Sequence, residues 1–411
     1  MCISKCEEGS GNKKHFYDTG VNNSFDFDQI IDRKDTASYK WDGLDVDSDV
    51  LPMWVADMDF ACPPPVVEAV RRRAQHPIYG YPIRTERYFK AVEGWLKNRH
   101  GFDLPRKYLT FSPPGVIYAM NTALKLLTGK GDKVLVHAPN YDPLYIIVTD
   151  NHRILVESPL KQQGDRFIMD FEDIERKAKC GLSALILCSP HNPTGRVWTG
   201  EELERVADIC LRYDISMLVD EIHADFTTKE YPHTAFGKLG DSVLQKSVIC
   251  YSANKGFNLG GFQMSTVIIA NDALREKFND EMDTSQTRLD NIFGAEAMIA
   301  AYEQGDAWLD AAISYVEANK AYVRDYLERK IPKIKWTLTE GTYFGWLDCK
   351  GLGIVGEDLE QFMIDKARVA FSPGYGFGPG GEAFMRMNLA CPISIVKEAM
   401  QRLDRAVSEL Q

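Results

Sequence analysis

The stretch Ser247 to Gly261 reads SVICYSANKGFNLGG. It opens with an apolar, β-like run, Ser247 to Tyr251, and breaks into the polar turn Ser252-Ala253-Asn254. One lysine follows, Lys255, and then Gly256, Asn258, Gly260 and Gly261. A lysine at the end of a buried strand, among small residues, suits an amine that must lose its proton and attack a carbonyl. Taken alone, a lysine beside Gly and Asn is a solvated turn residue. The weight therefore comes from what the rest of the chain delivers to the same place.

Outward from this stretch, short apolar runs alternate with helical patterns. Strands are expected at Lys133 to His137, Arg153 to Glu157, Ala184 to Cys188, Ser216 to Val219, Ser247 to Tyr251 and Thr266 to Ala270. Helices are expected at Val66 to Gln75, Glu86 to Arg99, Pro114 to Leu127, Pro143 to Asp150, Asp170 to Lys177 and Glu201 to Tyr213. Such alternation implies an α/β fold with a mostly parallel sheet covered on both faces. Phe25 to Ile31 reads as a short helix start, and Leu51 to Phe60, LPMWVADMDF, as an extended segment. Later come long helices at Ile292 to Glu303 and Ala307 to Lys330, a strand-rich piece at Trp336 to Leu347, and helices at Asp358 to Ala367 and Ile393 to Leu410. The shift near 305 to 320 suggests a second, smaller α+β unit. The expected organisation is a polar leader at 1–24, an N-terminal segment at 25–75 contributing to the small unit, a large α/β unit at 76–310, and a small α+β unit at 311–411.

The chain has 411 residues, is 45% hydrophobic and carries a formal charge of −11, with a pI near 5.3. That balance argues against nucleic acid or an anionic membrane as the main partner. Nine scattered cysteines give one close pair, Cys2 and Cys6, with no second pair or histidine cluster to complete a metal site. The leader has no apolar core, and no apolar run approaches membrane-spanning length. A soluble cytoplasmic protein with reduced thiols is expected.

In open α/β sheets, ligands bind outside the carboxyl ends of the strands. Each expected strand is followed there by polar or aromatic groups: Pro139-Asn140-Tyr141, Ser189-Pro190-His191-Asn192-Pro193, Asp220-Glu221-Ile222-His223, and the turn to Lys255. Ser112-Pro113-Pro114 leads into the helix that starts at Gly115 and Val116. Exposed N–H groups and the helix dipole favour an anion at that start.

The combination MWVADMDF, PHNPTGR-W, DEIHADF, S-x-N-K-x-F-N and MRMNLACP resembles the fold-type I pyridoxal-phosphate enzymes of the class I/II aminotransferase superfamily. Within it, the motifs are similar to the cystathionine β-lyase-like C–S lyases, the MalY/PatB branch, from about residue 25 onward. The resemblance implies pyridoxal 5′-phosphate as cofactor and a homodimer with shared active sites. Lys255 would bond the cofactor aldehyde and later act as general base at the substrate Cα. Asp220 would pair with the pyridine N–H, although after a strand it also suits a helix N-cap. Asn192 would hydrogen-bond the ring hydroxyl oxygen, and also suits an Asn-Pro turn. Tyr141 would stack over the ring, or be a core aromatic. His223 would orient Asp220, or be a satisfied core histidine. Gly115, Val116, Ser252 and Asn254 would hold the phosphate, joined by Tyr81 of a neighbouring subunit. Arg386 would grip the substrate α-carboxylate through its planar fork, or sit at the surface.

Asn254 replaces the serine and Gly256 the threonine usual around the family lysine. Gln263 stands where many aminotransferases carry a phosphate-binding arginine, which leans away from transamination. The loop Phe371 to Gly381, FSPGYGFGPGG, is unusually glycine-rich and aromatic, and is expected to shape the substrate mouth. The resemblance thus implies β-elimination from L-cystathionine, related cysteine S-conjugates, cysteine or cystine, giving a thiol, pyruvate and ammonia. The alternatives are an aminotransferase and a regulator acting through protein contacts.

Overall fold

Fully apolar runs too short for helices become the inner strands of a seven-stranded sheet. The computed structural model describes residues 25–44 and 49–410, so the leader at 1–24 lies outside the described residues. Across the sheet the order is Leu109–Ser112, Ser265–Ile268, Ser247–Tyr251, Ser216–Asp220, Ala184–Cys188, Lys133–Ala138 and Ile154–Pro159. Neighbours are parallel except Ser265–Ile268, which runs antiparallel to both of its partners. Every residue of Ala184–Cys188 and Ser247–Tyr251 is buried, as strands covered on both faces must be.

Helices cover the sheet and start where local chemistry allows. Pro64 stands at the first position of Pro64–Gln75, where its missing N–H costs nothing. Thr199 and Glu202 form a reciprocal capping box on Gly200–Arg212, worth about 1 kcal/mol. Gly101 ends Glu86–His100 with φ of 60°. The helix Asp272–Thr284, capped by the Asn271 side chain, was not among the expected elements, nor were the strands Leu109–Ser112 and Phe384–Asn388.

Phe25 to Ile31 is not helical. The Asp26 carboxylate accepts from the N–H groups of Asp28 and Gln29 and fixes a turn instead. Phe27 then buries itself against Phe60, Trp308 and Tyr315, with ring centroids 4.9 to 5.7 Å away.

A second, antiparallel sheet follows the order Lys335–Trp336, Phe344–Asp348, Phe384–Asn388 and Ser372–Pro373. The N-terminal segment joins this side, because Leu51–Pro52 pairs in parallel with Val369–Ala370. The 25-residue helix Asp306–Lys330 runs unbroken past residue 310. Residues 53–60 leave the small strand pair as an extended strap between the two sheets. A half-buried ion cluster stiffens the strap: Lys40 meets Asp59 at 2.6 Å, and Arg33 meets Asp57 and Asp59 at 2.7 Å each.

Candidate active site

Three parallel strands end on chemistry. Asp220 closes Ser216–Asp220, Lys255 follows Ser247–Tyr251 by one short turn, and Asn192 follows Ala184–Cys188. Ser252 shapes the lysine turn: its Oγ accepts the Asn254 N–H at 3.1 Å and donates to the Met264 carbonyl. In this structure its proton goes to that carbonyl. The Asn254 amide, by contrast, makes no hydrogen bond among the described residues, although it is 8% exposed.

Lys255 is partly buried, and its Nζ donates to the Ala56 carbonyl at 2.7 Å. Burial, with help from the Arg386 charge, lowers its pKa to about 8, against the opposing pull of Asp57 and Asp220. Burial likewise raises Asp220 to about 6, while the Ile222 N–H, 3.0 Å from Oδ1, and Lys255 hold it down. Between those values both groups are charged, the lysine poised to lose a proton and the aspartate to keep a donor opposite it charged.

Arg386 lies buried on Phe384–Asn388, between the rings of Phe344 and Phe377, 4.2 and 4.8 Å from their centroids. Its fork donates to Asn192 Oδ1 at 2.8 Å, the Trp54 carbonyl at 2.9 Å and Ser372 Oγ at 3.0 Å. All three acceptors are neutral, and among the described residues no carboxylate lies within ion-pair distance. Burial accordingly lowers the guanidinium to about 10. A buried charge without a counter-ion is costly unless a ligand supplies one. Asn192 spends its oxygen on this contact and leaves its Nδ2 without a partner among the described residues.

The loop at Ser112 feeds the helix Val116–Leu127, which has no side-chain cap. The Gly115 N–H donates to the Ser112 carbonyl at 3.0 Å, so it is already used. Free donors begin at Val116: the N–H groups of Val116, Ile117 and Tyr118 have no acceptor among the described residues. Gly115 itself has φ of 100°, and a Cβ there would stand 2.9 Å from the Gln263 carbonyl oxygen.

Tyr141 is half-buried beside this group, its hydroxyl pKa raised by burial and by Asp142. His223 does not hydrogen-bond Asp220. It packs on Tyr343 and Phe344, its Nδ1 has no partner, and burial holds it well below the usual histidine range. Tyr81 is 92% exposed in a loop with the exposed side chains of Ile78, Tyr79 and Ile83.

Gly256 has a packing reason. A Cβ there would lie 2.8 Å from Asp225 Oδ2, and Asp225 is fixed by Trp95 Nε1 and His100 Nε2, both at 2.8 Å. Phe377, from the glycine-rich loop, forms the wall under Arg386, and its carbonyl accepts the Asn140 N–H at 2.7 Å. The sequence reading gave no role to Trp54, Ala56, Ser372, Tyr343, Phe344 or Asn388. Trp54 and Ala56 act through carbonyls, which every residue has; only the odd run MWVADMDF pointed to them.

These features match known proteins along nearly the whole chain. Residues 48–403 match the family Aminotransferase class I and II. The chain is 38% identical to cystathionine beta-lyase PatB of Bacillus subtilis (strain 168) over 386 residues, covering 93% of this chain and 100% of that one. It is 32% identical to Protein MalY of Escherichia coli (strain K12), covering 93% and 99%. The structure of cystalysin from Treponema denticola, which contains pyridoxal 5′-phosphate, superposes with a TM-score of 0.91 at 35% identity, covering 94% and 100%. With its lysine and aspartate at the strand ends of the mixed sheet and its arginine on the smaller antiparallel sheet, the chain belongs to the class I and II aminotransferase family, in the branch of PatB and MalY.

Proposed function

We propose that the protein is a pyridoxal 5′-phosphate-dependent C–S β-lyase that releases a thiol, pyruvate and ammonia from a sulfur-bearing amino acid, with L-cystathionine as the leading substrate. The observation that carries the reading is Arg386, a buried cation held only by neutral acceptors on the same side as Lys255. An amino acid brings the carboxylate that such a group lacks.

The cofactor's needs fit what the chain leaves free. The uncommitted N–H groups of Val116 to Tyr118, with the Asn254 amide, suit its phosphate. Asp220 suits its ring nitrogen, the free Nδ2 of Asn192 its ring oxygen, and Tyr141 its face. When bound, pyridoxal 5′-phosphate supplies an aldehyde for amine capture and a ring that accepts the electron pair left at Cα. Lys255 Nζ would bond the cofactor aldehyde and, once free, would take the substrate Cα proton. Asp220 would hold a proton at the ring nitrogen. Arg386 fixes the α-carboxylate, and so decides which bond at Cα faces Lys255.

We further propose a homodimer in which Tyr81 reaches the partner's phosphate site, supported by the 92% exposed Tyr81 amid exposed Ile78, Tyr79 and Ile83. The proposed division into a smaller unit, 25–75 with 311–411, and a larger one, 76–310, is supported by the pairing of Leu51–Pro52 with Val369–Ala370. Among the described residues no helix is long and apolar enough to cross a membrane. A cytoplasmic location is part of the proposal.

The test is release of pyruvate and ammonia from L-cystathionine by the purified, cofactor-loaded protein with no keto acid added. Sustained release of both is expected. Turnover that appears only with a keto acid acceptor would make the protein an aminotransferase instead.

A further inference from the structure

Lys255 has one hydrogen-bond acceptor, the carbonyl oxygen of Ala56, 2.7 Å from Nζ. Tyr343 donates its hydroxyl to the same oxygen at 2.9 Å, so both lone pairs of that carbonyl are engaged. Ala56 has only a methyl side chain, so the place of its carbonyl is set by whatever holds the backbone on either side.

Two asparagines hold it. Asn388 Nδ2 donates to the Val55 and Asp57 carbonyls, each at 2.6 Å, and thereby brackets Ala56. Its Oδ1 accepts the Ala390 N–H at 2.9 Å, which fixes the orientation of the amide. Asn258 binds the next turn of the strap: its Oδ1 accepts the Met58 N–H at 2.9 Å, and its Nδ2 donates to the carbonyls of Met58 and Phe60 at 3.0 and 3.2 Å. Asn258 lies three residues beyond Lys255 and has φ of 59°, a region that favours glycine and asparagine. The amine and its acceptor are thus tied to one rigid turn from one side, and to the strand of Arg386 from the other.

We propose that Asn258 and Asn388 are positioning residues for Lys255, acting through the Ala56 carbonyl. The proposal rests on Lys255 being the reacting amine. The charged and titratable groups facing Lys255 are Asp57 on the strap, Asp220 and His223 from the central strand end, Arg386 from the small sheet, and Tyr343, which shares the Ala56 carbonyl. Each remains when Asn258 is changed, so a shift in Lys255 reports the strap itself.

Asn258→Gly is the cleanest probe. It keeps the left-handed backbone and removes three hydrogen bonds. The pH dependence of acetylation of Lys255 by acetic anhydride, read by mass spectrometry on the cofactor-free full-length protein, gives the midpoint of the amine directly. In Asn258→Gly that midpoint is expected to rise by about half a unit to one unit, because a loosened strap lets water reach the ammonium. The control is Asn151→Ala, which removes two half-buried hydrogen bonds, to Asn121 Oδ1 and the Ile147 carbonyl, away from the strap, and is expected to leave the midpoint unchanged. If Asn258→Gly does not fold, Asn388→Ala, which removes the donor to the Val55 and Asp57 carbonyls without adding a charge, carries the same expectation. An unchanged midpoint in the asparagine variant that folds, or an equal rise in Asn151→Ala, overturns the proposal. Borohydride reduction of the loaded, unsubstituted protein, followed by mapping of the tagged lysine, tests the role of Lys255 separately.

Discussion

The start of the helix Val116–Leu127 and the strap at 53–60 flank the same lysine, and they treat their backbone in opposite ways. At the helix, three successive N–H groups have no protein acceptor among the described residues. Along the strap, the carbonyls of Met53, Trp54, Val55, Ala56, Asp57, Met58 and Phe60 all accept hydrogen bonds, several from side chains of the site. Buried backbone groups are satisfied within the protein unless something else is meant to satisfy them. Under the proposed function, the free donors are where the cofactor phosphate would sit, and the hydrogen-bonded strap is the fixed wall opposite.

The contrast breaks most completely if the lysine between the two regions is removed. Lys255→Ala is expected to reduce pyruvate release on the order of 10⁴-fold or more, while the circular dichroism of the folded chain is unchanged. Arg386→Gln tests the wall side. It keeps a donor for the strap but loses the charge and the fork, and kcat/KM should fall roughly 10²-fold or more with little change in the cofactor's absorbance. Gly115→Ala tests the open side. The added Cβ forces φ of 100° on a residue that resists it and meets the Gln263 carbonyl, so a cost of about 1–3 kcal/mol should appear as a lower Tm and weaker phosphate retention.

Smaller effects sharpen the same contrast. The lowered pKa of Lys255 means that the unfolded chain binds the extra proton between about 8 and the ordinary lysine value of 10.5. Stability conferred through this group should therefore rise with pH across that window, and urea titrations of cofactor-free wild type against Lys255→Met should diverge there in favour of wild type. Asp220 acts in the opposite sense. Its raised pKa makes the folded chain the better proton binder from about 4 to about 6, so its contribution falls as pH climbs through that range. The least effect is expected for Asn254→Ser, which exchanges one neutral donor for another: a change of a few-fold at most in cofactor dissociation, measured by fluorescence.

The buried strands, the helices with clear starts, and Lys255, Asp220, Asn192, Tyr141 and Arg386 were all legible as residues. Apolar runs, caps and the resemblance of spaced motifs are written in side chains. Less legible was what each group had already spent. Ser252 and the Gly115 N–H look free in sequence, but the fold commits both of them, to Met264 and Ser112. His223 sits three residues from Asp220 yet turns to Tyr343 and Phe344. The replacement at Gly256 looks like a change in the site until Asp225 is seen behind it.

By itself, the sequence determined the alternating architecture and singled out the lysine, carboxylate and guanidinium of the candidate site, because those depend on residue type and period. Tertiary structure alone decided that Ala56 would be the acceptor for Lys255, that Trp54 would steady Arg386, and that Asn258 and Asn388 would close on the strap between them. The partners lie about 200 or more residues apart in several of these pairs, and the acceptors are main-chain carbonyls. A carbonyl is present at every position, so only the fold can say which one meets the lysine.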